Sequence, residues 1–152
     1  PYLLSVATLE PRKNLAYLLR CFATLIESRA VADTVALALV GPRGWKFDGI
    51  LDVAQQQTLA GRVVITGYVP DADLAALYSG ARVFVYPSLA EGFGLPPLEA
   101  MQCGAPVVAS DIPALREVVA DAGILVLPDN ADALGRALRD VLEKETLRSD
   151  LR

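Results

Sequence analysis

Two short stretches of this chain carry residue types that could do chemistry. An arginine and a lysine stand side by side in LEPRKN, at Arg12 and Lys13, and two glutamates, Glu91 and Glu99, bracket the stretch EGFGLPPLE. A guanidinium grips a phosphate with two donors, and an ammonium meets it as a compact point charge. In the second stretch Gly92 and Gly94 let the backbone turn tightly and approach a ligand closely. Pro96 and Pro97 set φ for a helix start that needs no amide donor. The amides of residues 92 to 95 are thereby left free, and a helix N-terminus with free amides favours an anion. A carboxylate beside a phosphate repels it, so Glu91 and Glu99 make sense where they meet hydroxyls, since an ionised carboxylate accepts from a neighbouring pair. Sugar hydroxyls next to phosphates describe a nucleotide-diphosphate sugar.

The composition narrows what else the chain can do. It contains no histidine, which removes the commonest general base and the commonest metal ligand together. The formal charge is −4, and the basic residues are scattered rather than massed in a stripe, which argues against a nucleic-acid partner. No apolar run approaches the ~20 residues of a bilayer span, so no membrane span is expected. Cys21 and Cys103 read as packed thiols of a reducing compartment, and the expected location is cytoplasmic. The chain opens on Pro1 and runs straight into an apolar strand. It is therefore expected to be one domain, 1–152, excised from a longer protein.

The elements that must position these residues follow from hydrophobic period. Strand runs are expected at 2–8, 35–41, 63–67, 83–88, 106–110 and 123–128, all short and apolar. Helical spacing is expected at 14–29, where Leu15, Leu18, Leu19, Phe22, Leu25 and Ile26 fall on one face. Further helices are expected at 47–59, 70–81, 97–103, 112–120 and 131–145, with Asn14 as a cap of the first. Six strands this apolar, alternating with six helices, predict a Rossmann-like α/β domain: a six-stranded parallel sheet in three layers. Ligands of such sheets sit where the carboxyl ends of the strands run into helix starts. The loops after the first and fourth strands, which carry Arg12-Lys13 and Glu91, are there.

The run TLEPRKN with its amphipathic helix, and then GYVPDADLAALYSGARVFVYPSLAEGFGLPPLEAMQCGAPVVASDIPALREVV, resembles the C-terminal, donor-binding domain of retaining glycosyltransferases of the GT-B fold, in the large family of bacterial mannosyltransferases and of glycogen and sucrose synthase relatives. The likeness covers nearly the whole chain. It implies that Arg12 and Lys13 bind the donor diphosphate and that amides around Gly92, Phe93, Gly94 and Leu95 contact diphosphate and sugar. It implies further that Glu91 lies by the donor sugar, that Glu99 holds the ribose hydroxyls, and that the base lies near Val69. Arg12, Lys13 and Glu91 are then the catalytic set. The donor would be GDP- or UDP-linked, carrying a mannose-like hexose, with a glycan or lipid-linked acceptor held by the other domain. The parent protein would work in the cytoplasm or at the inner face of a membrane. One departure stands out, because Ala7-Thr8 occupies the place where many members have Gly-Arg, so one phosphate-contacting arginine is missing.

Other readings compete at particular residues. Asp71 and Asp73 suggest a divalent metal, but after Pro70 they fit better as a helix cap and a dipole partner. With Arg12 and Lys13 present, no metal or other cofactor is expected. Trp45, Phe47 and Tyr68 are candidates to stack on a base, though packing is the commoner role of such aromatics. A dinucleotide-dependent oxidoreductase would want G-x-G-x-x-G after the first strand, where this chain has VATLEPRKN. A non-catalytic nucleotide-sugar or protein-binding module is the remaining alternative.

Overall fold

The computed structural model describes residues 1–151. Six strands, β1 (Tyr2–Val6), β2 (Ala36–Val40), β3 (Val63–Gly67), β4 (Val83–Tyr86), β5 (Val107–Ser110) and β6 (Ile124–Val126), form one sheet in the order β3-β2-β1-β4-β5-β6. Every pairing is parallel. The order reverses between β1 and β4, where the crossovers leave in opposite directions and open a crevice at the strand ends. The Rossmann-like sheet expected from the sequence is thus present, and its switch point lies between the two charged loops.

Strand alternation builds a core on each face. Leu3, Leu37, Leu39, Val83, Val85 and Val108 pack on one face against α1 (Leu15–Glu27), α2 (Asp48–Ala54) and α6 (Ala131–Glu143). Leu4, Phe84, Tyr86, Val107 and Ala109 point the other way, against α3 (Asp71–Gly80), α4 (Leu95–Gln102) and α5 (Pro113–Val119). The helices show why they dock. In α1 the buried residues Leu15, Leu18, Leu19, Phe22 and Leu25 repeat at three and four, forming one apolar stripe. In α6, Leu134, Ala137, Leu138 and Val141 do the same, and the Asn130 side chain accepts from the Ala133 amide at 2.9 Å to close the first turn.

Several element ends differ from expectation for local reasons. The run 47–59 is not one helix but α2 followed by a 3-10 turn at Gln57–Leu59, anchored by the buried Phe47, Ile50, Val53 and Leu59. The helix expected at 97–103 begins two residues earlier, because Gly94 takes the left-handed cap position and both prolines fit the first turn. The last expected helix stops at Glu143, since Lys144 is extended, and a seventh helix, α7 (Glu145–Asp150), turns back. There the buried Arg148 donates to the Val141 and Leu142 carbonyls at 2.8 and 2.7 Å, satisfying the end of α6.

Asn14 does not cap α1 with its side chain. It sits in the left-handed region (φ 58°) between a 3-10 turn at Pro11–Lys13 and α1, a conformation asparagine tolerates better than most residues. Nor does either aspartate cap α3: the cap position is Pro70, and Asp71 and Asp73 both lie in the first turn, where their charge complements the dipole.

Candidate functional site

The loops after β1 and β4 are stapled together at the switch point. The Leu89 amide donates to the Arg12 carbonyl at 2.9 Å, and Arg12 Nη1 donates to the Ala90 carbonyl at 2.8 Å. The 3-10 turn at Pro11–Lys13 presents two consecutive cations to the fourth loop, which is how residues 78 positions apart in sequence come to share one site.

Lys13 is the centre of this junction. Its Nζ donates to Glu91 Oε1 at 2.6 Å and to the Tyr86 hydroxyl at 2.8 Å, and it lies 5.2 Å from the Tyr86 ring centroid. The lysine is buried (8% exposed), and so is the Glu91 side chain (7%). Burial alone would push the Glu91 carboxyl up, but the hydrogen bond and charge of Lys13 outweigh it and hold the pKa below the ordinary glutamate value. Burial, and then the Glu91 charge, push the Tyr86 phenol well above its ordinary value, so it stays protonated. Arg12 is more open. Its Nη1 also lies 3.4 Å from Glu91 Oε2, while Nη2 pairs with Glu10 Oε1 at 2.8 Å.

Two cations and two carboxylates thus meet here, Arg12 and Lys13 with Glu10 and Glu91, and their formal charges cancel. The sequence reading assigned Glu91 to sugar hydroxyls; in the structure both its oxygens face cations. Of the two cations, the Arg12 guanidinium is the open one, its side chain 46% exposed against 10% for Lys13.

The fourth loop ends on a glycine that sets its backbone. Gly94 has φ 94° and is packed so closely that a Cβ there would stand 2.6 Å from Leu115 Cδ2 of α5. The positive φ favours glycine at that turn, and α4 then starts on Leu95, Pro96 and Pro97, the two prolines bringing no amide of their own. None of the amides of Gly92, Phe93, Gly94 and Leu95 donates to another described residue. Gly92, Phe93 and Leu95 are exposed around Gly94. A second glycine, Gly41 (φ 139°), lets the loop after β2 run against β1's exit, since a Cβ there would lie 2.0 Å from the Ala7 carbonyl oxygen. Ala7 and Thr8, where an arginine was missed, lie in that close crossing.

Glu99 stands apart from this cluster, in the second turn of α4. Its Oε2 accepts from the Tyr78 hydroxyl of α3 at 2.9 Å, and its side chain opens on a groove of about 280 Å³ between α3 and α4 that Asp71, Leu74, Tyr78 and Gln102 also line. Burial, followed by the hydrogen bond to Glu99, pushes the Tyr78 phenol far up, so it too remains a donor. Val69 is half-buried against the same core face, just ahead of α3. Among the other aromatics, Phe47 is buried under Arg43 at 4.9 Å, whereas Trp45 and Tyr68 are 61% and 70% exposed. No group of three or more His, Cys, Asp and Glu side chains is placed to hold a metal ion among the described residues. Cys21 and Cys103 are free thiols.

The sequence reading missed Tyr78 and Tyr86. Tyr86 carried a signal, as the last residue of an apolar strand entering the loop. The spacing of 84 and 86 put it on the α4 side of the sheet. Tyr78 had none beyond its place near the end of an expected helix, because its contact with Glu99 spans two elements.

Comparison with known proteins agrees with this architecture. The sequence pattern described as Glycosyl transferases group 1 matches residues 1–152. The O-antigen chain mannosyltransferase B of Escherichia coli is 45% identical over 148 residues, which is 97% of this chain and 38% of that protein. The sucrose-phosphate synthase of Thermosynechococcus elongatus superposes with a TM-score of 0.83 at 30% identity, over 99% of this chain and 40% of that one. Anabaena HepE, in a complex with UDP and glucose, superposes with a TM-score of 0.85 at 25% identity, over 99% and 41%. The chain therefore spans about two fifths of the length of these proteins. No helix among the described residues is long and apolar enough to cross a membrane.

Proposed function

The chain belongs to the glycosyl transferases group 1 family, and from that premise we propose that it is the donor-binding domain of a retaining glycosyltransferase. It binds a nucleotide-diphosphate sugar in the crevice between the loops after β1 and β4. The single observation that carries this reading is the junction at the switch point, where Arg12, Lys13 and the unpaired amides of Gly92 to Leu95 converge from two loops. Side-chain cations and helix-start amides together suit a diphosphate, the group on which negative charge grows as the glycosidic bond breaks. Glu91, released from the cations, faces the sugar, and Glu99 faces the ribose with the base toward Val69.

The resemblance to a mannosyltransferase at 45% identity favours a mannose-like hexose and a GDP-linked donor; the HepE complex supports a nucleoside diphosphate in this fold without deciding the base. Transfer needs an acceptor site, a glycan or lipid-linked acceptor held by a further domain of the whole enzyme. Neither a metal nor any other cofactor is required in this reading, because the phosphate charge is met by Arg12, Lys13 and backbone donors.

Calorimetric titration of the protein with GDP, UDP and ADP, and with their sugars, tests the proposal. One diphosphate should bind, and Lys13→Ala should weaken it far more than the matching nucleoside. Absence of binding by all three would remove the donor-domain reading.

A further inference from the structure

The two charged groups assigned to the donor are held from beneath by one row of buried aromatic rings. Tyr78 and Phe84 meet edge to face with centroids 5.4 Å apart, and Phe84 and Tyr86 stack at 5.9 Å with 20° between planes. The rings are sealed, with Tyr78 at 2%, Phe84 at 0% and Tyr86 at 1% exposure. Only the two outer rings carry hydroxyls, and each hydroxyl ends on a different site residue. Tyr86 accepts from Lys13 Nζ at 2.8 Å, and Tyr78 donates to Glu99 Oε2 at 2.9 Å.

Resting on the donor-site reading above, the geometry points to Tyr86 and Tyr78 as positioning residues of the donor site, Tyr86 setting the ammonium of Lys13 for the diphosphate and Tyr78 setting the carboxylate of Glu99 for the ribose. The chemistry of each pair supports the assignment. An ammonium has three donors, and among the described residues two of Lys13's are taken by oxygens, those of Glu91 and Tyr86. When a diphosphate draws Lys13 away from Glu91, the Tyr86 hydroxyl still holds it from the core side, fixing a long flexible stem in one rotamer. Glu99 is exposed, and among the described residues the Tyr78 hydroxyl is the one hydrogen-bond partner that restrains its carboxylate. With Oε2 occupied by Tyr78, Oε1 is left to accept from a ligand, and the carboxylate plane is set across the groove between α3 and α4. The shared ring row makes the spacing between the two functions a property of the core, since neither hydroxyl can shift without displacing packed rings.

Tyrosine-to-phenylalanine variants isolate the hydroxyls, because the ring row, and the cation-π contact of Lys13, remain. GDP, guanosine and the 2′,3′-dideoxy form of GDP, with the uridine series in parallel, are titrated against wild type, Tyr86→Phe and Tyr78→Phe, together with thermal unfolding of each. Tyr86→Phe should weaken the diphosphate roughly three- to tenfold, the size expected for one hydrogen bond, and leave the nucleoside nearly unchanged. Tyr78→Phe should weaken the ribose ligands by a similar factor and leave the dideoxy ligand unchanged. A purely structural role would lower the unfolding temperature and weaken all three ligands alike, and that result would overturn the inference, as would unchanged binding in both variants. A wild type that binds the diphosphate while the variants fail to separate in this way removes the inference alone; a wild type that binds neither series removes the donor-site reading and the inference with it.

Discussion

Lys13 Nζ and Glu91 Oε1 stand 2.6 Å apart inside the junction of the first and fourth loops, each side chain about nine-tenths buried. A pair so enclosed is costly to break from one side, because the survivor is left charged and without its partner. In the structure the more buried of the two cations is already engaged. Stability is therefore linked to the charge of this carboxylate.

The linkage predicts a pH dependence with a definite sign. Glu91 has a folded pKa below its unfolded value, so its contribution to stability is complete above the ordinary glutamate range and is lost as pH falls through that range toward the lower folded value. Glu91→Gln should cost roughly 1–3 kcal/mol at neutral pH, since Lys13 loses its charged partner. The difference from wild type should shrink on acidification. Thermal unfolding of both proteins from pH 7 down to the lowest pH at which they fold measures it, and a constant gap would show that the carboxylate charge contributes nothing.

Gly94 supports a second prediction. Its positive φ and the 2.6 Å approach of Leu115 Cδ2 to a Cβ act together, so Gly94→Ala must both strain the backbone and displace the end of the Leu115 side chain. The expected loss is about 1–2 kcal/mol from the left-handed conformation alone, and more once Leu115 is displaced. Gly92→Ala, where a Cβ would meet nothing within 4 Å, should be close to neutral for stability. Denaturant unfolding of the two variants separates them, and equal losses would contradict the packing argument.

The parallel sheet and its strand-helix alternation were legible because each strand is an uninterrupted apolar run and the main helices carry a stripe at three and four. The location of the charged loops followed from that order. The partners within the site were not legible. That Glu91 meets Lys13 depends on the staple between Arg12 and Leu89, and that Glu99 meets Tyr78 depends on how α3 lies against α4; neither has a local signature. Element ends were missed where a single residue decides them, as when Gly94 starts α4 ahead of both prolines or Lys144 breaks the final helix.

The phosphate site proposed here is built from side-chain cations and amides, so nucleoside diphosphate binding should survive chelation. Titrations in the presence and absence of EDTA, followed by addition of magnesium or manganese, test this directly. Binding lost on chelation and restored by either ion would instead give Asp71 and Asp73 a ligand role, since both lie in the first turn of α3 and Asp71 lines the groove beside Glu99.

Glu99 offers the sharpest test of how the donor lies. If its free oxygen accepts from ribose hydroxyls, Glu99→Ala removes a hydrogen bond to a charged acceptor and should cost about 1.5–3 kcal/mol of binding for the ribose diphosphate. The same substitution should cost little for the 2′,3′-dideoxy ligand, which has no hydroxyl to offer. Salt should change the result little, because the hydroxyl partner is neutral, whereas the loss caused by Lys13→Ala should depend on phosphate charge. Stability should fall only slightly, since the carboxylate is exposed and its one hydrogen-bond partner among the described residues is the Tyr78 hydroxyl. Equal losses for ribose and dideoxy ligands would mean that Glu99 acts through α4 and Tyr78 rather than on the sugar, and would move the ribose to another part of the crevice.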